Sequence, residues 1–336
     1  MKVLPADKIR EALNILAGEA EVYAPLVRGD VSGYIKWTDG PGDELALDIL
    51  NTYMPPKHIV MPQTENMYKF IATGKDAQVT EIVTAEGPRI IFGIRGCDLQ
   101  ALHALDLAFL TRGYEDEFYK ARRQDLAVIA RACYQPGPAC FCESMGVDRL
   151  NPEADVVIHV LGEQGLAWEP KTPKGKDITA KLQGILVDKE VALPQAADMK
   201  VKVDITGLSE KLAGMFEHPV WDELSSRCMN CGVCTYVCPT CYCFDIQVHN
   251  RGEAGNRFRC WDSCMYKEYT QMAGGHNPRE FKKERFRQRF LHKLQYFNER
   301  YGANLCIGCG RCIIMCPNEV NILEIINKLK EVQVDA

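Results

Sequence analysis

The sequence contains no Gly-x-Gly-x-x-Gly after a strand-like run and no Gly-x-x-x-x-Gly-Lys-Ser/Thr. Gly74-Lys75 and Gly175-Lys176 lack both the upstream glycine and the following hydroxyl. The usual glycine-rich cradles for dinucleotides and for nucleoside triphosphates are therefore missing. No stretch approaches the roughly 18 consecutive apolar residues that a membrane span needs. The opening MKVLPADKIREAL has no apolar signal-peptide core. A formal net charge of −5 leaves no basic footprint for nucleic acid. These absences lead us to expect a soluble cytoplasmic protein with no membrane or nucleic-acid partner.

What the chain has in excess is cysteine: 16 in 336 residues. In a cytoplasmic setting that number means metal or redox chemistry rather than disulfides, and oxygen sensitivity with it. The apolar content of 46% and charged content of 25% are those of an ordinary globular protein. The length suggests about two domains.

The cysteines are unevenly spread. Cys228, Cys231, Cys234 and Cys238 precede Pro239, and Cys306, Cys309, Cys312 and Cys316 precede Pro317. Each run reads C-x2-C-x2-C-x3-C-P, the bacterial ferredoxin signature for a [4Fe–4S] cluster. Three closely spaced thiolates wrap three corners of a cubane, and the fourth corner comes from elsewhere. The proline ends the loop because it has no N–H to donate. In two-cluster proteins the fourth cysteine of each run serves the other cluster. One expected ligand set is thus Cys228, Cys231, Cys234 and Cys316, and the other Cys306, Cys309, Cys312 and Cys238. Structural zinc or disulfides are the competing readings, but zinc favours paired C-x2-C knuckles.

Residues 1–215 read as an α/β domain with an apolar sheet. Ile9, Leu13 and Leu16 mark one face of a first helix. Arg89–Gly96, Leu126–Ala130 and Asp155–Leu161 read as strands. Asp98–Leu110 reads as a helix with Asp98 as its N-cap, and Pro170–Lys176 as a surface loop. Residues 216–336 read as an α-helical ferredoxin-like domain with two [4Fe–4S] clusters. The gap between the runs, residues 239–305, is too long for a compact hairpin repeat, and it includes a helical stretch at Arg279–Tyr301.

The segments around the runs resemble one iron–sulfur dicluster family. CPTCYCFD at Cys238–Asp245, Trp261-Asp262-Ser263-Cys264 and Met272-Ala273-Gly274-Gly275-His276 carry the likeness. So do Gly93-Ile94-Arg95-Gly96-Cys97-Asp98-Leu99, the CFCESMG segment from Cys140 to Gly146, and His218-Pro219-Val220-Trp221. The family includes the A subunit of anaerobic sulfite reductase and the β subunit of cytosolic NiFe sulfhydrogenases. Related subunits occur in flavin oxidoreductase modules of heterodisulfide-reductase-like complexes. The resemblance implies an electron-transfer subunit. Its expected partners are a ferredoxin-reductase-like subunit that binds FAD and NAD(P), and a catalytic or bifurcating redox subunit. FAD is then expected on the partner, in keeping with the missing dinucleotide fingerprint. A competing reading makes the N-terminal domain itself a flavin- or cysteine-dependent reductase fed by the clusters. A metal-stabilised scaffold with no redox role is a third.

Eight cysteines lie outside the runs. Cys97, Cys133, Cys140 and Cys142 fall beside expected strand ends, where ligand sites of α/β sheets form, and would suit a third [4Fe–4S] cluster. A helix N-terminus is expected to favour the Cys97 thiolate. The alternative is buried small hydrophobes. Cys241, Cys243, Cys260 and Cys264 are candidates for a fourth metal site, or for groups that tune the second cluster. His276 reads as a cluster-side residue, a proton carrier or a loop cap. Arg279, Lys282, Lys283, Arg285, Arg287 and Arg289 read as a solvated helix face or a docking patch for an acidic partner. Lys57, Glu65 and Tyr68 read as a pocket or as structural groups.

Overall fold

Every residue of Arg89–Arg95 is buried, the pattern of a central strand covered on both faces. The computed structural model describes residues 1–81 and 87–333. The strands run β1 (Lys2–Leu4), β2 (Glu21–Arg28), β3 (Val31–Lys36), β4 (Glu44–Leu45), β5 (Thr64–Thr73), β6 (Asp76–Glu81) and β7 (Arg89–Arg95). Then come β8 (Leu126–Arg131), β9 (Val156–Val160), β10 (Leu166–Pro170), β11 (Val187–Asp188), β12 (Phe244–Arg251) and β13 (Ala254–Trp261). The helices of the first half are α1 (Ile9–Ala17), α2 (Gly96–Leu110), α3 (Glu117–Arg123) and α4 (Pro173–Lys181). Those of the second half are α5 (Leu208–Ala213), α6 (Val220–Ser225), α7 (Val233–Tyr236), α8 (Lys282–Leu291), α9 (Phe297–Tyr301), α10 (Arg311–Ile314) and α11 (Ile322–Glu331).

The larger sheet is mixed, with strand order β11-β1-β10-β9-β8-β7-β2-β3 and β4 paired to β2. Its centre, β9-β8-β7-β2, is parallel, and the flanking pairs are antiparallel. Alternation along the central strands feeds two cores. Ile90, Phe92, Ala127 and Ile129 pack with Leu13, Leu16, Ile178 and Leu182 of the α1 and α4 side. Ile91, Ile94, Val128 and Ala130 pack with Leu99, Leu102, Leu105 and Tyr119 of the α2 and α3 side.

Two local expectations are corrected. The Pro-, Gly- and Lys-rich stretch is not a loop throughout, because α4 starts at Pro173 and the Thr172 hydroxyl accepts from the Gly175 N–H at 3.1 Å. A capping threonine followed by proline at the first helical position is a helix start. Asp98 is not the cap of α2. The helix begins at Gly96, and the Asp98 carboxylate turns inward to Arg311.

Helical conformation runs from Lys282 to Tyr301, through a π-helical turn at His292–Tyr296. The gap between the cysteine runs also holds the hairpin β12–β13, which joins β5 and β6 in a four-stranded antiparallel sheet of order β12-β13-β5-β6. This sheet draws strands from both sides of residue 215. Buried Glu65 on β5 pins it, accepting from Arg259 at 2.6 Å and from Arg122.

Candidate metal centres

The two cysteine runs fold as echoes of one another. In the first, Asn230 and Gly232 take positive φ before α7; in the second, Gly308 and Gly310 do so before α10. These left-handed turns curl each loop so that its sulfurs face inward. The two short helices pack against each other. Backbone N–H groups point at sulfur, from Asn230 to Cys228 at 3.4 Å and from Val320 to Cys316 at 3.2 Å.

Cys228, Cys231, Cys234 and Cys316 line one cavity, with Met265, Phe286 and Arg289. Cys238, Cys306 and Cys309 line a second, with Phe141 and Lys293. Cys312 borders both. Each cavity therefore carries the fourth cysteine of the opposite run. No carboxylate or imidazole lines either one. Among the described residues no three His, Cys, Asp or Glu side chains sit close enough to share a single metal ion. A cubane holds its ligands farther apart than one ion does, and a pure thiol lining is its donor set. The Arg289 Nε, buried and without a partner, also calls for an acceptor that protein atoms do not supply. The residues fit iron–sulfur clusters.

Burial pushes the Cys234 and Cys306 thiols up to about 11, opposed by Arg289 at Cys234 and by Lys293 at Cys306. Cys238 is held well below the usual thiol range by a hydrogen bond from Cys241, and the Lys293 ammonium acts in the same direction. The two cavities differ in exposure. Cys231 reaches solvent, whereas Cys238, Cys306 and Cys309 are buried.

Cys97, Cys133, Cys140 and Cys142 are all buried and come together at the carboxyl ends of β7 and β8. Arg95 donates to the Cys133 sulfur at 3.2 Å. The cluster of thiols abuts the second cavity. The Phe141 N–H donates to the Gly308 carbonyl at 2.9 Å, and Asn51 donates to the Cys309 carbonyl at 2.8 Å. A Cβ on Gly308 would stand 2.6 Å from the Phe141 carbonyl, and one on Gly310 2.5 Å from the Ala139 carbonyl. Only glycine allows the two loops this approach. In the chain without a cluster, burial and neighbouring Asp98 raise the Cys97 thiol well above the ordinary range, the opposite direction to the one expected from the helix N-terminus.

Of the remaining four, the free thiol of Cys241 neighbours that of Cys238, and Cys264 neighbours Cys243. Cys264, with Tyr269, holds Cys243 below the ordinary thiol range. Cys260 stands apart beside Asp245 and Asp262. Its neighbour Trp261 turns into the core, and alternation along β13 sends Cys260 to the other face. A four-cysteine site including Cys260 is thus not formed.

His276 is exposed, and its carbonyl only closes a turn with the Met272 N–H at 2.9 Å. The basic run is solvated only in part, because Arg285, Arg287 and Arg289 are buried while Arg279, Lys282 and Lys283 are half-buried. Arg285 holds the Met265 carbonyl at 3.0 Å, and Arg287 lies 3.6 Å over the Phe216 ring. Lys57 and Glu65 are both buried and each has its own partners. Lys57 is buried above the Trp261 ring and donates to the Cys241 carbonyl at 2.7 Å. Burial lowers its ammonium to about 8. Lys293 was not foreseen; its signal is a cation set within the Phe286, Phe290, Leu294, Phe297 stripe.

Two thiol-lined cavities between interlocked runs, on a mixed-sheet scaffold, have the character of an iron–sulfur protein. Residues 227–320 match the family of the 4Fe-4S dicluster domain. The chain is 32% identical to sulfhydrogenase 2 subunit beta of Pyrococcus furiosus, over 98% of each chain. It belongs to this sulfhydrogenase β-like iron–sulfur family. No solved structure matches it. None of the described helices is long and apolar enough to cross a membrane.

Proposed function

We propose that this chain is the electron-relay subunit of a multisubunit oxidoreductase. It works between a flavoprotein that binds FAD and NAD(P) and a catalytic subunit of the hydrogenase, sulfite-reductase or heterodisulfide-reductase-like kind. Cys228, Cys231, Cys234 and Cys316 hold one [4Fe–4S] cluster, and Cys306, Cys309, Cys312 and Cys238 the other. Cys97, Cys133, Cys140 and Cys142 hold a third. Such clusters, when bound, supply reversible one-electron storage. The chain keeps them out of water, balances their charge with buried cations and holds them close together. Residues 216–336 form the dicluster module and residues 1–215 the third site, and the shared sheet fastens the two.

The observation that carries this reading is the contiguity of three thiol sites. Cys312 borders the first two cavities, and the Cys140–Cys142 loop lies against Gly308 and Cys309 of the second. A row of closed, cysteine-ligated sites suits relay rather than substrate chemistry. Exposed Cys231, flanked by exposed Met229, makes the first site the one nearest a partner.

The test is a cofactor count on the full chain purified anaerobically. The expected result is iron and acid-labile sulfide at about twelve each per chain, four per cubane, with signals that appear on dithionite reduction and no flavin after desalting. A retained flavin, or clusters that dithionite does not reduce, would count against relay.

A further inference from the structure

Arg289 and Lys293 lie four residues apart on the α8–π–α9 segment, and each enters a different thiol-lined cavity. The π-turn begins between them at His292, and such turns recur at functional sites. Both cations are buried, at 4% and 3% exposure. Lys293 Nζ donates to the Cys238 sulfur at 3.2 Å and to Thr240 Oγ1 at 3.1 Å. Neither cation meets a carboxylate among the described residues. A buried charge without a counter-charge is strongly unfavourable. Among the described residues the groups within reach that can carry negative charge are the thiols and what they bind.

The second cavity is the more enclosed of the two. Enclosure disfavours the added negative charge of a reduced cluster. A fixed ammonium on a ligand sulfur opposes that penalty, since hydrogen bonds to sulfur and net charge both set cluster potential. We infer that Lys293 is the positioning residue that raises the reduction potential of the enclosed cluster and so keeps it reducible within the relay. This rests on the ligand assignment under Proposed function. Arg289, which makes no direct bond to sulfur, supplies a more diffuse charge to the first cluster.

The experiment is an anaerobic redox titration of the full chain followed by EPR, on wild type, Lys293→Met, Lys293→Gln and Lys293→Arg. Iron content is measured on each. In Lys293→Met, one cluster signal should shift to lower potential while the others keep their midpoints. Lys293→Gln, which drops the charge but keeps a donor, should shift the same signal in the same direction. Lys293→Arg should stay close to wild type. Because the glutamine variant carries the same expectation, loss of the methionine variant's cluster leaves the test intact. Unmoved midpoints at full iron content, or an arginine variant shifted as far as the methionine variant, overturn the role of Lys293. Wild-type protein without two cubane signals would instead overturn the ligand assignment beneath it.

Discussion

Arg311 and Asp98 form a two-point ion pair, with Nη1 to Oδ1 at 2.5 Å and Nη2 to Oδ2 at 2.8 Å, and both residues are buried. The pair joins the short helix after Gly310 to the first turn of α2. It therefore fixes the second cysteine run against the thiol group around Cys97. Arg311 Nε also donates to the Thr52 carbonyl at 3.1 Å. Asp98→Ala leaves a buried guanidinium without its counter-charge, which costs about 3–5 kcal/mol. We predict that loss in anaerobic denaturant unfolding, with reduced iron content. Replacing both partners with apolar residues of similar volume should recover much of the stability.

Gly308 tests the approach of the two loops. Its φ is 65°, and a Cβ there would press on the Phe141 carbonyl. Gly308→Ala should cost at least the roughly 1–3 kcal/mol of left-handed strain and loosen the second cavity. Gly146, also at positive φ but with open space around it, is the control. Gly146→Ala should pay only the strain and leave iron content unchanged.

Three buried thiols give a pH dependence with a definite sign above pH 9. Burial raises Cys234, Cys306 and Cys142 above the ordinary thiol value of 9.0, the last to about 12. The folded cluster-free chain thus keeps protons that the unfolded chain releases above pH 9. The contribution of these three thiols to the stability of the cluster-free form is full below that pH and is lost as pH rises above it, whereas the lowered thiols Cys238 and Cys243 contribute in the opposite sense, and only below it. Chemical denaturation from pH 9 to about pH 11 should show this fall for cluster-free protein. Cluster-loaded protein, whose ligand thiolates have already lost their protons, should show little of it.

Much of this was legible in the sequence where the signal is local. The cysteine runs announced themselves by spacing, and Arg89–Arg95 by its apolar centre Ile90–Ile94. The antiparallel sheet was not legible, because β13 finds its partner β5 nearly two hundred residues earlier. The roles of Asp98 and Lys293 were hidden for a related reason. A capping aspartate and a carboxylate aimed at a distant arginine look alike at the first turn of a helix. A lysine in a basic helix looks solvated until its neighbours on the apolar stripe are seen to be core. Cys260 illustrates the converse, since counting cysteines cannot tell which face of a strand each one takes.

The most direct test of the account is EPR of the dithionite-reduced Cys316→Ser variant beside Cys238→Ser. Cys316 lies on the second run but lines the cavity of the first. The account predicts that Cys316→Ser disturbs or removes the signal of the cluster held by Cys228, Cys231 and Cys234, and that Cys238→Ser does so for the one held by Cys306, Cys309 and Cys312. Loss of the Cys306 cluster in Cys316→Ser, with the other intact, would contradict it.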